Sequence, residues 1–236
     1  MRHAVIVTAA VSSSRFNSNL KSSCNAGNIK KEFIKLGNEP ILACAIRPFL
    51  LVDGLVSVVV TYKEDLYEET FKCLKQMNIP AKIRLYLVKG GTTRQESVFN
   101  ALKFLNDEKL ELDLVSIHDG ARPFVSKELI ENCLKKAFET GGAAPGLPMS
   151  DTLVKVESGL IASRLDRSSI YSVQTPQTFR FPEIYKVHLK AREKANDGLV
   201  YTDDTQIFTD YGFQVAIVKG DPKNKKITYP SDLEKI

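Results

Sequence analysis

The feature that most constrains this chain is a rhythm. Short apolar runs alternate four times with segments of helical spacing, and each run ends in polar residues. Ala4–Ala9 (AVIVTA), Val56–Thr61 (VSVVVT), Lys82–Val88 and Leu112–Ile117 read as strands. Pro40–Leu51, Lys63–Met77, Thr92–Leu105 and Lys127–Thr140 read as helices, the last capped by Ser126 and ended by Gly141-Gly142. Strands apolar on both faces need cover on both sides. The expectation is therefore an α/β fold with a doubly wound, mostly parallel sheet.

After a further strand at Ala143–Pro148 the rhythm changes. Asp151–Val156 and Leu160–Leu165 are strand-like runs joined by Glu157-Ser158-Gly159, a hairpin signal with no crossover helix. Such an inserted hairpin either folds back on its own domain or reaches a second subunit. Helices are then expected at Pro182–Ala195 and Asp203–Tyr211, a strand at Gln214–Val218, and a short helix near Pro230. No linker divides the chain. The reading is one domain over 1–236, with a β-arm somewhere in 150–174.

Composition removes several classes. The 236 residues are 43% hydrophobic and 26% charged, as expected for a globular chain with a sizeable core. No run reaches the ~18 apolar residues of a membrane span, and MRHAVIVTAA is apolar too briefly for a secretory signal. Cys24, Cys44, Cys73 and Cys133 form no CxxC and read as thiols of a cytoplasmic protein, with no metal site. The net charge of +5 is spread along the chain without a basic run carrying aromatics, so nucleic acid is not expected as a partner. A pocket that neutralises polyphosphate fits the same charge.

In open parallel sheets ligands sit beyond the carboxyl ends of the strands. Four polar groups fall there. They are Arg15 with the later Lys31, Gly90–Ser97 (GGTTRQES), His118–Arg122 (HDGAR) and Asn224–Thr228 (NKKIT). The hairpin adds Asp151-Thr152 and Asp166-Arg167, and Gln174-Thr175-Pro176-Gln177 follows it. The set is rich in cations, poor in carboxylates, and has no serine or cysteine with a recognisable base partner. That composition suits phosphoryl or nucleotidyl transfer by positioning and charge stabilisation. Neither GxxxxGK[ST] nor GxGxxG occurs.

Eight motifs in order carry a family resemblance. They are TAA (8–10), GGTTRQESV (90–98), IHDGARPF (117–124), SDT (150–152), LDR (165–167), QTPQTF (174–179), TDD (202–204) and NKKIT (224–228). Nearly end to end, the chain resembles the 2-C-methyl-D-erythritol 4-phosphate cytidylyltransferases, nucleotidyltransferases with a Rossmann-like fold. The resemblance implies transfer of CMP from CTP to methylerythritol phosphate with loss of pyrophosphate, and Mg²⁺ bound mainly through the CTP phosphates. It implies Arg15, Lys31, Arg167 and Lys226 as catalytic. Asp119, Arg122, Thr152 and Thr175 would line the sugar-phosphate pocket, and Ala9, Ala10, Ser13, Gly90, Arg94 and Ser97 would meet the nucleotide. It also implies a homodimer in which the hairpin arm brings Thr152 and Arg167 to the partner's site.

The chain departs from the family in its first loop, where Val11 and Ser13 stand in place of two glycines; Lys30 is the fallback for Lys31 across a lengthened Asn17–Ile29 segment. Two alternatives stay open: a pentitol-phosphate cytidylyltransferase acting on ribitol 5-phosphate, and a nucleotide-binding homologue without catalysis. Some residues read as structural. His118 would orient its turn, Asp203 and Asp204 would cap a helix, and Phe49, Phe71 and Phe104 would pack into the core.

Overall fold

A computed structural model describes residues 1–10, 16, 30–195, 201 and 203–233. The site positions expected at Val11, Ser13 and Arg15, and most of the Asn17–Lys31 loop, lie outside these residues.

The central sheet has eight strands. Strands β1 (His3–Thr8), β4 (Leu55–Tyr62), β5 (Arg84–Lys89) and β6 (Leu114–Asp119) run parallel, in the order β6-β1-β4-β5. Two further strands, β2 (Lys35–Leu36) and β3 (Glu39–Pro40), pair only with each other among the described residues. The unbroken apolar runs now have their cause. Side chains alternate across a strand, so Val5, Val7, Val58 and Val60 enter one core, while Ala4, Ile6, Val59, Val115 and Ile117 enter the other. Helices α1 (Ile41–Ile46) and α4 (Lys127–Thr140) close the first core; α3 (Arg94–Asp107) and α5 (Phe181–Ala195) close the second.

The far side of the sheet holds the unexpected strand. Beyond β6 lies β11 (Gln177–Arg180), antiparallel to β6 and to β7 (Gly142–Pro148). It prolongs β10 (Tyr171–Val173), which also pairs antiparallel with β7. Ala143 of β7 pairs with Thr178 on one edge and with Ala216 of β12 (Ala216–Lys219) on the other, so β12 is outermost. No strand is expected from the sequence at QTPQTF, where Pro176 immediately precedes β11. Here the Thr175–Pro176 peptide is cis.

Element bounds shift where proline or capping intervenes. The helix expected over Pro40–Leu51 is α1 followed by a 3₁₀ turn at Arg47–Leu51, with Pro48 in its first turn. The helix expected from Lys63 opens as a 3₁₀ turn and continues as α2 (Tyr67–Lys75). Asp203 caps α6 (Asp204–Asp210), accepting from the Gln206 N–H. Phe49 is fully buried and Phe104 packs at the margin of a core. Phe71 is a correction: it is exposed, stacked on Tyr67 at the surface.

The expected hairpin is β8 (Val154–Glu157) with β9 (Leu160–Arg164), turned through Ser158 and Gly159 at positive φ. Among the described residues it pairs with no other strand. No described helix is long and apolar enough to cross a membrane.

Phe179 is the test of how β11 is held. Its ring is fully buried against Phe208, with centroids 4.9 Å apart. Phe179→Ala should cost about 3–5 kcal/mol, read as a lower urea midpoint at unchanged slope. A loss below about 1 kcal/mol would show that this strand is not fixed by its core contacts.

Candidate active site

Three backbone turns meet at the carboxyl ends of β1, β5 and β6. The Ala9 N–H donates to Thr61 O, and the Gly90 N–H donates to Tyr62 O at 2.8 Å. A Cβ on Gly90 would lie 2.3 Å from the Ala10 Cβ and 2.9 Å from the Ser97 Oγ. Only glycine lets the loop after β5 come this close to the loop after β1. Thr93 caps α3, accepting from the Glu96 N–H, while Glu96 accepts from the Thr92 N–H and hydroxyl. The buried Ser97 hydroxyl accepts from the Gly91 N–H and donates to Thr93 O. Ser97 thus shapes the glycine loop.

The cap of α3 presents its first residue, Arg94, toward the end of β6. There Asp119 gathers three cations. Lys226 Nζ lies 3.0 Å from Oδ2, Arg122 Nε 3.2 Å from Oδ2, and Arg94 Nε 3.8 Å from Oδ1. Burial by itself would push Asp119 upward. Lys226, Arg94 and Arg122 outweigh it and hold the carboxyl well below the usual range. Asp119, with the Asp204 carboxylate behind Arg94, offsets two of these three charges and leaves net positive charge at this edge, which is the field a polyphosphate needs.

The turn itself is fixed by His118. Thr175 Oγ1 accepts from the Asp119 N–H at 3.1 Å and lies 2.9 Å from His118 Nδ1. Arg122 O, beside Nε2, can only accept, so Nε2 must carry the ring proton and the Thr175 hydroxyl proton goes to Nδ1. The neutral ring donates from Nε2 to Arg122 O at 3.2 Å. Burial holds His118 down at about 4, consistent with that neutral state. The structural reading of His118 stands.

The loop after β12 completes the edge. Arg122 Nη1 donates to Asn224 O, and Asn224 Nδ2 donates to Thr175 O, both at 2.8 Å. Gln174 Nε2 donates to Asp221 O. These bonds strap the cis-proline turn to the loop that carries Lys226. Asn224 had no role from sequence, although it stands in the NKKIT motif. The two lysines at the end of the first loop divide the edge between them. Lys31 Nζ donates to Ile227 O at 2.7 Å, and Lys30 Nζ donates to Ala9 O at 2.9 Å. Burial pushes the Lys30 amine below its ordinary value, with Glu32 opposing. Phe16 is buried with Ile41 and Ile227.

Ala9, Ala10, Gly90, Arg94, Ser97, Asp119, Arg122, Thr175, Lys31 and Lys226 are thus brought to one sheet edge. Ser13 and Arg15 lie outside the described residues. Thr152 and Arg167 sit at the base of the arm, both exposed, and Arg167 Nη1 donates to Ser150 O at 2.6 Å. Sequence reading also missed the environment of Arg94. Its Nη1 lies 2.7 Å from Oδ2 of Asp204, which is fully buried. Asp204 is more than the helix start expected. His188, 3.1 Å from Asp204, was not singled out. Its position on the apolar stripe of Ile184, Val187 and Ala191 was the available signal.

His3 and His118 are both held down to about 4 by burial, against an ordinary 6.5. The folded protein keeps them neutral while the unfolded chain takes up protons, so stability falls as pH drops from about 6.5 to about 4. Each contributes up to about 3 kcal/mol of that loss. Asp119 adds a further loss below its ordinary 3.8, since only the unfolded carboxyl protonates there. Urea melts at pH 7 and 4.5 check this. Stability should fall steeply, and less so in His118→Gln; equal stability at both values would refute it.

A family model described as 2-C-methyl-D-erythritol 4-phosphate cytidylyltransferase (IspD) matches residues 3–236. A protein of that name from Bacillus licheniformis is 35% identical over 99% of this chain and 93% of its own length. One from Clostridium acetobutylicum is 38% identical over 87% of each chain. The crystal structure of the Thermus thermophilus protein of that name superposes with a TM-score of 0.71 at 31% identity. It covers the whole of this chain and 97% of that one.

Proposed function

Because this chain belongs to the 2-C-methyl-D-erythritol 4-phosphate cytidylyltransferase family, we infer that it transfers CMP from CTP to 2-C-methyl-D-erythritol 4-phosphate. A phosphate oxygen of the sugar attacks the α-phosphorus. The bond to the β-phosphate breaks, and its electron pair leaves with pyrophosphate. The reaction serves isoprenoid precursor synthesis. The observation that carries this reading is the gathering of Arg94, Arg122 and Lys226 on Asp119, beside the close approach of Gly90 to Ala10.

In this reading the closely packed Ala9–Ala10 and Gly90 turns form the wall against which the nucleotide lies, with Ser13, Arg94 and Ser97 alongside. Lys226 and Lys31, with Arg15, stabilise the charge that builds on the α-phosphate. Asp119, Arg122 and Thr175 receive the sugar phosphate. Asp119 thus has two tasks: it fixes the cations, and it offers an acceptor to sugar hydroxyls. Mg²⁺ fits as a passenger of the triphosphate, where it would offset phosphate charge. No three His, Cys, Asp or Glu side chains converge on a metal position among the described residues, and Asp119 is engaged by cations.

The arm belongs to the same proposal. Val156, Leu160 and Ile161 are 55%, 75% and 65% exposed on a hairpin that, among the described residues, pairs only with itself. Such apolar surface is suited to a second copy. A homodimer would bury it and carry Thr152 and Arg167 to the partner's site. A cytoplasmic setting suits Cys44, Cys73 and Cys133, none of which is in a disulfide.

Two measurements test these statements. Pyrophosphate release from CTP and Mg²⁺ should be fast with methylerythritol phosphate and absent with ribitol 5-phosphate; the reverse pattern would move the enzyme to pentitol chemistry. In the same assay Lys226→Ala should lower turnover by about 10²–10³-fold, and wild-type turnover would take Lys226 out of the reaction. Sedimentation should give a dimer for the native chain and a monomer for Leu160→Asp/Ile161→Asp. A native monomer would end the arm-swap reading.

A further inference from the structure

A second buried carboxylate lies behind the first. Asp204 opens α6 and is completely enclosed. Its Oδ2 is 2.7 Å from Arg94 Nη1, and its Oδ1 is 3.1 Å from Nε2 of His188, which is buried on α5. The Asp204 N–H donates to Gln177 Oε1 at 3.1 Å, and Gln177 Nε2 donates to Asp203 Oδ2. Three helices and β11 therefore meet at one ionised group. An enclosed carboxylate needs its partners, and here they are one guanidinium and one imidazole. Neither ring nitrogen of His188, nor Asp204 Oδ1, has a hydrogen bond of ordinary angle among the described residues, so the 3.1 Å approach of Nε2 to Oδ1 is a charge–dipole contact rather than a formed hydrogen bond. Asp204 is thus the polar group that orients the ring.

The consequence falls on Arg94. Its guanidinium is shared between two carboxylates at unequal range, 2.7 Å to Asp204 and 3.8 Å to Asp119. Asp204 holds it back from Asp119. Were that hold released, a desolvated guanidinium beside a desolvated carboxylate would close to a direct pair. Asp119 would then be drawn from Arg122 and Lys226, which now share its Oδ2. We propose that His188 and Asp204 are positioning residues for the nucleotidyl transfer: His188 fixes Asp204, and Asp204 keeps Arg94 at a distance from Asp119. Neither touches substrate. The kinetic part of this inference rests on the function proposed above; the placement of Arg94 does not.

Two readouts follow. The first needs no activity. The Arg94 Nε–H signal in the ¹⁵N spectrum, identified by its loss in Arg94→Lys, should shift in His188→Leu and hold its place in His188→Gln, whose amide can replace the Nε2 donor. An unmoved signal in folded His188→Leu overturns the proposal. The second is a double-mutant cycle on pyrophosphate release. His188→Leu should lower kcat/KM about 10-fold in the native background and leave it nearly unchanged in Arg94→Lys. Equal losses in both backgrounds would mean a general structural role and also overturn it. Should His188→Leu not fold, His188→Asn, which cannot place a donor at the Nε2 position, takes its part in both readouts. A native enzyme that releases no pyrophosphate would refute the functional reading alone, because the Arg94 signal still decides the placement.

Discussion

Everything at the functional edge depends on one ionised carboxylate kept out of water. The side chain of Asp119 is only 9% exposed. Removing one partner of such a group leaves an uncompensated charge and costs several kcal/mol, whereas the complete set is self-consistent. Asp119 dictates where Arg122 and Lys226 stand, and it shares Arg94 with Asp204, although these cations come from three separate turns. Its backbone is fixed as firmly as its side chain, through Thr175 and the neutral ring of His118. The cations are thus arranged before any phosphate arrives, and little reorganisation is left for the moment of reaction.

The sheet explains why those turns meet. Parallel strands deliver their carboxyl ends to the same side, so β1, β4, β5 and β6 each release a loop into one crevice. The link between β10 and β11, both antiparallel to β7, adds Gln174 and Thr175 to that side from the opposite direction. The outer strand β12 then returns Asn224 and Lys226 to Thr175 and Arg122. Two cores, one on each face, keep the strands from shifting in register, since a one-residue slip would exchange the valines of one core for those of the other.

Legibility varied with the range of the interaction. Capping and periodicity are local, so Thr93 before α3, Ser126 before α4 and Asp203 before α6 could be expected from neighbouring residues. The site motifs were visible as polar stretches after strands. What they do to one another was not. Lys226 stands 107 positions from Asp119 in sequence, and Asp204 stands 110 from Arg94. Strand β11 escaped notice because a proline immediately precedes it and both of its pairings are with distant strands. Phe71 misled for a related reason: helical spacing puts it on the apolar stripe of α2, but the neighbouring elements cover only part of that stripe.

By itself, the sequence determined that the strands must be covered on both faces, that polar residues cluster where they end, and that the set favours phosphate chemistry. These follow from side-chain periodicity, backbone turn chemistry and charge, which need no knowledge of distant contacts. Only the tertiary structure decided that Asp119 is shared by three cations, that the turn-orienting His118 is neutral, and that Asp204 and His188 stand behind Arg94. Each of those depends on burial and on a particular separation of a few ångströms, and desolvation is a property of the assembled fold alone.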